Sequence, residues 1–345
     1  MRFQFYLTSQ ISILKSNKMK ILIRLPNWLG DVVMSTAFLN AVRQLYPDAT
    51  IDVIIKKELS SVASLIPGIN TIHAFSKQDN PGLGGVYRFG KSLRAEKYDL
   101  FFTLPDSLSA AVMGKATGAK KRIGFSKEGG FFLLTKVCRK PKNVHRVDEY
   151  FSILEQFSGK PVSEKKVELQ PEPQKKFELI LLNFNSEAES RRMPLENGKA
   201  LLDLLLRTFP DKQFGLIGGP KDAIYVEQLL EGAAGAERIS NYCGRTTLLT
   251  LANLMVSAKV LLSTDSGPAH LANCVGLPVV ALFGAGNEHN TAPYNKEHLT
   301  VLRAGQLACE PCVRNVCKLY GVPKCMQLLD KHRIINALSV YLNHA

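Results

Sequence analysis

Short apolar runs alternate with helically spaced ones through the first hundred residues, stop, and start again after residue 177. Residues 21–25, 50–55, 71–75 and 100–104 read as strands. Between them, residues 31–45 put Val32, Val33, Ala37, Phe38, Ala41, Val42 and Leu45 at helical spacing, residues 59–66 form a shorter helix stopped by Pro67-Gly68, and residues 86–96 form a third. The second series has strands at 179–183, 213–217, 260–262 and 278–284 and helices around 200–207, 223–230, 247–257 and 326–341. Strands separated by helices pair in parallel, because each crossover must return over a sheet face, and both faces are then covered. The expected fold class is therefore α/β, with two doubly wound, Rossmann-like halves. Ligands of such sheets bind beyond the carboxyl ends of the strands, and two halves leave a cleft there.

The interruption is rich in Lys, Glu and Pro, with Pro161, Pro171 and Pro173. It divides the chain into an N-terminal domain over 19–160, a linker over 161–177, a C-terminal domain over 178–330 and a terminal helix over 331–345. Residues 1–18 lack a continuous apolar core and a small-residue cleavage site, so they are expected to be a loosely ordered extension rather than a secretion signal. No apolar run reaches membrane-spanning length. The cytoplasm is the expected compartment, and seven cysteines without a secretion signal do not favour a disulfide framework.

Charge separates the halves. Residues 1–150 hold 23 Lys and Arg against 11 Asp and Glu, so nearly all of the net +14 lies in the first half. Its densest part runs from Lys115 to Lys142 and includes Lys120, Lys121 and Arg122. Such a half attracts an anionic partner: nucleic acid, an anionic membrane surface or an acidic glycolipid. The basic run is not interleaved with aromatics as in single-strand binders, which argues against nucleic acid.

Five constellations carry chemistry. Pro26-Asn27-Trp28-Leu29-Gly30-Asp31 joins the first strand to its helix; Asp31 is either a helix cap or a carboxylate facing the cleft as a base. A dinucleotide fingerprint needs three spaced glycines there and only Gly30 is present. Arg191-Arg192, after Asn183-Phe184-Asn185-Ser186, can clamp a diphosphate or form a solvated loop. Gly218-Gly219-Pro220-Lys221-Asp222 fits a tight turn better than a phosphate site. Ser263-Thr264-Asp265-Ser266-Gly267-Pro268-Ala269-His270 joins strand to helix and offers an anion unpaired N–H groups and a favourable dipole, with His270 one turn past Gly267. Cys309, Cys312, Cys317 and Cys325 could hold a structural zinc, although they do not form two tight pairs.

These residues together resemble glycosyltransferase family 9, the heptosyltransferases of the lipopolysaccharide inner core. The resemblance runs from Met19 to about Asp330. It rests on Gly30-Asp31-Val32 after the first strand, on Asn241-Tyr242-Cys243-Gly244-Arg245-Thr246-Thr247-Leu248 followed by Asp265-Ser266-Gly267-Pro268-Ala269-His270, and on Pro278-Val279-Val280-Ala281-Leu282-Phe283-Gly284. It implies a GT-B architecture, an acceptor-binding first half and a nucleotide-sugar-binding second half. It also implies inverting transfer of heptose from ADP-L-glycero-D-manno-heptose to the inner core, with no cofactor needed for catalysis. Asp31 would match the general base; Asp265, Ser266, Gly267 and His270 would contact the donor, with Arg191 and Arg192 near its diphosphate. Lys120, Lys121 and Arg122 would face an anionic lipopolysaccharide precursor at the inner leaflet, where the protein would sit peripherally. Arg191 stands where the family often has lysine, Met193 where tryptophan is common, and Phe184-Asn185 departs from Pro-Gly. Another nucleotide sugar for a surface polysaccharide, or a non-catalytic anion-binding role, are the competing readings.

Overall fold

The computed structural model describes residues 18–127, 129–172 and 174–343; the extension expected over 1–18 lies, but for Lys18, outside them. The first half runs β1 (Lys20–Arg24), α1 (Leu29–Leu45), β2 (Thr50–Lys56), α2 (Ser60–Ala63), β3 (Thr71–Phe75), α3 (Gly82–Ser92), β4 (Leu100–Thr103), α4 (Leu108–Thr117), β5 (Lys121–Gly124), β6 (Lys136–Val137) and α5 (Arg146–Ser158). The second runs β7 (Leu179–Asn183), α6 (Leu195–Thr208), β8 (Gln213–Leu216), α7 (Ala223–Leu230), β9 (Ile239–Asn241), α8 (Leu248–Ser257), β10 (Val260–Thr264), α9 (Gly267–Cys274), β11 (Val279–Phe283), α10 (Glu288–Thr291), β12 (Leu299–Arg303), α11 (Lys324–Gln327) and α12 (Lys331–Asn343).

Each half is one parallel sheet, ordered β3-β2-β1-β4-β5-β6 and β12-β11-β10-β7-β8-β9. Counted from its own first strand, each sheet has the same order. In each, the order reverses between the first and fourth strands, and the crevice beyond their carboxyl ends is the ligand position of such sheets. Those ends carry the turn before Asp31, the turn after Asn183 and the turn holding Asp265.

Strand alternation divides the apolar side chains into layers. Ile21 and Ile23 face one way and Leu22 the other; Leu179 and Leu181 oppose Ile180 and Leu182; Val279, Ala281 and Phe283 oppose Val280 and Leu282. The inner faces of both sheets join a single buried core through α1 and α9. Close approach depends on two glycines: a Cβ at Gly30 would lie 2.7 Å from His270 Cδ2, and one at Gly267 would lie 2.8 Å from Leu29 Cβ.

The proline-rich connection forms neither helix nor strand among its described residues, yet it is fastened down. Val167 and Leu169 are buried, Glu168 N donates to Thr36 Oγ1, Gln170 N donates to the Leu65 carbonyl, and Asn295 Nδ2 reaches the Val167 carbonyl from the second half. The helix expected over 326–341 is two helices, because Asp330 Oδ1 accepts from His332 N and caps a new start. Among the described residues no helix is long and apolar enough to cross a membrane.

Candidate active site

On the first half, β1 ends at Arg24, whose guanidinium turns inward to Asn27 Oδ1 and to the carbonyls of Leu25 and Ile54. Burial lowers its pKa to about 10. This fixes the loop that carries Trp28, Leu29, Gly30 and Asp31. Trp28 occupies the cap position of α1 and makes no capping bond, so Asp31 sits within the first turn of the helix and is not its cap. Trp28 stands 56% exposed on the lip of the crevice.

The partners of Asp31 come from α5. Arg146 Nε lies 3.3 Å from Asp31 Oδ1, and the buried Tyr150 phenol donates to the carboxylate. Burial raises the Asp31 pKa, with Arg146 opposing. Burial also holds Tyr150 well above its ordinary value, so it stays a neutral donor. Arg146 pairs in turn with Glu149 at 2.7 Å, Glu149 with Lys140 at 3.0 Å, and Lys140 with Asp106 at 3.1 Å. Sequence reasoning missed α5. The acidic pair Asp148-Glu149 at the start of an amphipathic run was the available signal.

On the second half, Arg191 closes the turn after β7, and its Nη1 lies 3.1 Å from Asp265 Oδ2. Burial pushes the Asp265 pKa up to about 6, against the pull of Arg191. Gly286 makes room for that carboxylate, since a Cβ there would lie 1.9 Å from Oδ2. The turn is braced by the cysteine-bearing segment: Ser190 N donates to the Asn315 carbonyl at 3.0 Å. That segment is itself held where Arg303 joins Glu288 and Glu310.

The two sides meet in a cleft of ≈ 270 Å³ lined by Asn143, Arg146 and Glu149 on one side and Arg191, Asn287 and Asn290 on the other. Asn290 Nδ2 reaches the Val144 carbonyl at 2.8 Å, and His145 Nε2 donates to the Ala292 carbonyl at 2.9 Å. His145 Nδ1 accepts from Val147 N, which sets the tautomer as neutral with the proton on Nε2. Buried polar atoms are normally paired. Of the nine described buried side-chain atoms without an aligned hydrogen bond, six belong to Arg146, Asn185, Arg191, Arg192, Asp265 and His270, around this crevice. Arg146 Nε and Asp265 Oδ2 are nonetheless held in ion pairs, with Asp31 and Arg191, and the buried Nε of Arg191 is a donor left without a partner beside the cleft, so the crevice at this switch point is polar and cationic.

Several expected residues are placed elsewhere. Arg191 and Arg192 do not form one clamp. Their side chains diverge, and Arg192 joins Asp222 at 3.0 Å and lies over the Tyr225 ring. Ser266 Oγ is taken up by Asn183 Nδ2 at 2.8 Å and the Thr264 carbonyl at 3.0 Å. Gly267 is closed by Leu29. His270 is buried against Gly30 rather than open to the cleft; burial lowers its pKa to about 3 and keeps it neutral, so it is no phosphate-binding cation in this arrangement.

Lys121 and Arg122 start β5, with Lys120 just before it, at the amino end of the first sheet, opposite the crevice. Lys120 pairs with Asp99, and Arg122 ties down the Leu133 and Ala119 carbonyls. The cations lining the cleft are Arg146 and Arg191 instead, with Lys140 linked to Arg146 through Glu149. The cysteines do not converge on a zinc site. Among the described residues no group of three or more His, Cys, Asp or Glu is placed to hold a metal. Cys325 is turned inward against Gly284, its thiol pushed up to about 11 by burial, while Cys309, Cys312 and Cys317 stay half-buried.

A sequence model of glycosyltransferase family 9 (heptosyltransferase) matches residues 86–322. The lipooligosaccharide heptosyltransferase 2 of Campylobacter jejuni is 27% identical over 350 residues, covering 93% of this chain and 98% of that protein. Among solved structures, a family 9 glycosyltransferase from Veillonella parvula superposes with TM-score 0.82 at 23% identity, over 95% of this chain and 98% of that one. The ADP-heptose lipopolysaccharide heptosyltransferase II of Escherichia coli superposes with TM-score 0.77 at 22% identity, over 94% and 98%. These likenesses establish the GT-B fold.

Proposed function

The chain belongs to glycosyltransferase family 9, and from that premise we propose that it moves a heptose from ADP-L-glycero-D-manno-heptose to the inner core of a lipopolysaccharide precursor, with inversion. One observation carries this reading: Arg146, which holds the Asp31 carboxylate, and Arg191 line one cleft from opposite halves. An acceptor hydroxyl oxygen attacks the anomeric carbon, the bond from that carbon to the diphosphate oxygen breaks, and ADP departs. The acceptor proton passes to Asp31. Burial makes this carboxylate more basic than a surface aspartate, and Tyr150 and Arg146 hold it in place.

Negative charge growing on the departing diphosphate needs fixed positive groups. Arg191 supplies one, with its buried Nε unspent, and the start of α9 supplies a favourable dipole. Asp265 acts by orienting Arg191. Arg146 and Lys140 on the acceptor side suit a phosphorylated, anionic glycolipid, and the excess charge of the first half suits the inner-leaflet surface where that glycolipid resides.

The test is a transfer assay with ADP-heptose against UDP- and GDP-sugars, using heptose-deficient inner-core acceptors, with the anomeric configuration of the product read by NMR. Turnover with ADP-heptose and inversion are expected. Turnover confined to another nucleotide sugar would replace the donor, and thermal stabilisation by single-stranded DNA with none by ADP would overturn the transferase reading.

A further inference from the structure

A three-ten turn over Gly130–Leu133 projects from the first half between β5 and β6. Its base is seated: a Cβ built on Gly130 would lie 3.2 Å from Ala111 Cβ on α4, and Leu134 is buried. Its tip is not. Phe131 is 49% exposed and Phe132 81% exposed, and their ring centroids lie 3.9 Å apart with the planes tilted by 36°. Val137, on the edge strand β6, adds a further exposed apolar side chain. Two adjacent phenylalanines held in water by a buried base are costly unless something covers them.

The surroundings state what kind of surface that is. Lys136, Arg139 and Lys142 are exposed and form no ion pair among the described residues. Arg139, Lys140 and Lys142, with Pro141 and Gln156, line a shallow depression of ≈ 450 Å³. Lys140 is shared: it also pairs with Glu149, which pairs with Arg146 beside Asp31. The cationic depression and the cleft are therefore neighbours on one side of the first half, and the aromatic tip precedes Lys136 and Arg139 by a few residues in the chain. Aromatic side chains set among unpaired cations match an anionic lipid bilayer, where rings enter the interface and cations meet headgroup phosphates.

We propose that residues 129–142 form the surface that docks this protein on an anionic phospholipid bilayer, with Phe131 and Phe132 entering the interface and Lys136, Arg139 and Lys142 meeting the phosphates. This deepens the acceptor reading above and rests on it for its purpose, because a docked bilayer would present a lipid-anchored sugar to the adjoining cleft.

The experiment is co-sedimentation of the full chain with vesicles of phosphatidylglycerol and phosphatidylcholine, compared with pure phosphatidylcholine. Wild type is expected to bind the anionic vesicles, more weakly as salt rises. F131S/F132S should bind about tenfold less, given the apolar area two rings bury. K136Q/R139Q/K142Q should bind about a hundredfold less, roughly fivefold for each cation, and lose the salt dependence. L319S/Y320S, on an exposed apolar patch of the second half, should bind as wild type.

Equal binding to neutral vesicles, or F131S/F132S binding as wild type, would overturn the proposal. So would a concentration-dependent dimer by light scattering that the double variant abolishes, because the patch would then join two copies. Turnover on a water-soluble core oligosaccharide separates the two readings. F131S/F132S should retain it, while failure of the wild type there would count against the transferase reading and leave the vesicle result standing.

Discussion

Replacing Gly30 with alanine tests whether the contact between α1 and α9 sets the geometry of the cleft. The added Cβ would lie 2.7 Å from His270 Cδ2, 3.1 Å from Nε2 and 3.3 Å from Cγ. Ordinary carbon contacts are about 3.5–4.0 Å, so the ring or the helix must retreat by about an ångström. His270 is 6% exposed and enclosed by the joint core, which leaves the ring little room. Overpacking of this kind costs about 1–3 kcal/mol. For a chain of this size that is a fall in Tm of about 1–4 °C. If the strain is relieved by separating the helices, Asp31 moves away from the second half, and a shift of about 1 Å can lower turnover by about a hundredfold. Differential scanning calorimetry and single-turnover transfer should both report the change, with ADP affinity nearly unchanged. In a His270→Ala background the ring is gone and Gly30→Ala should cost little, giving a coupling of about 1–3 kcal/mol. A Gly30→Ala protein with wild-type Tm and wild-type turnover would refute the argument, as would simple additivity with His270→Ala.

Asp31→Asn should lower kcat by about 10²–10⁴-fold while ADP binds as before by calorimetry, and the acid limb of the wild-type rate profile should lie above the ordinary aspartate range because the Asp31 pKa is raised. Arg191→Ala should weaken ADP binding by about tenfold or more, and Arg192→Ala much less, because Arg192 is spent on Asp222 and Tyr225. His270 binds its proton more readily unfolded, at about 6.5, than folded, at about 3. Its contribution to stability is therefore lost as pH falls from the first value toward the second, and His270→Gln should show a shallower loss of Tm over that window. A maleimide probe should label Cys309, Cys312 and Cys317 at neutral pH without prior chelation and spare Cys325, whose buried thiol is pushed up to about 11.

Much of this protein is legible in its sequence because short-range physics writes it there. Apolar runs such as 21–25 and 179–183 announce buried parallel strands, since a strand covered on both faces needs apolar side chains on both. The turns at Gly30-Asp31 and Asp265-Ser266-Gly267 follow from strand and helix meeting with no room to spare. The elements that stayed hidden include the short strands β5, β6 and β9, the edge strand β12, the helix α4, and α5, whose Arg146 is spent on Asp31.

What only the tertiary structure decided is which of the named residues meet. The sequence puts Arg191 beside Arg192, but the side chains turn to different carboxylates, Asp265 and Asp222. It puts Lys120–Arg122 in the most basic stretch, but strand direction carries them to the amino end of the sheet, opposite the crevice. It marks His270 as polar and near a glycine turn, but the joining of two cores buries it against Gly30. Residue type and local spacing are short-range properties. The contact of Asp31 with Arg146, and the cleft that Arg146 shares with Arg191, join residues far apart in the chain through helix packing across two sheets, which no local pattern encodes.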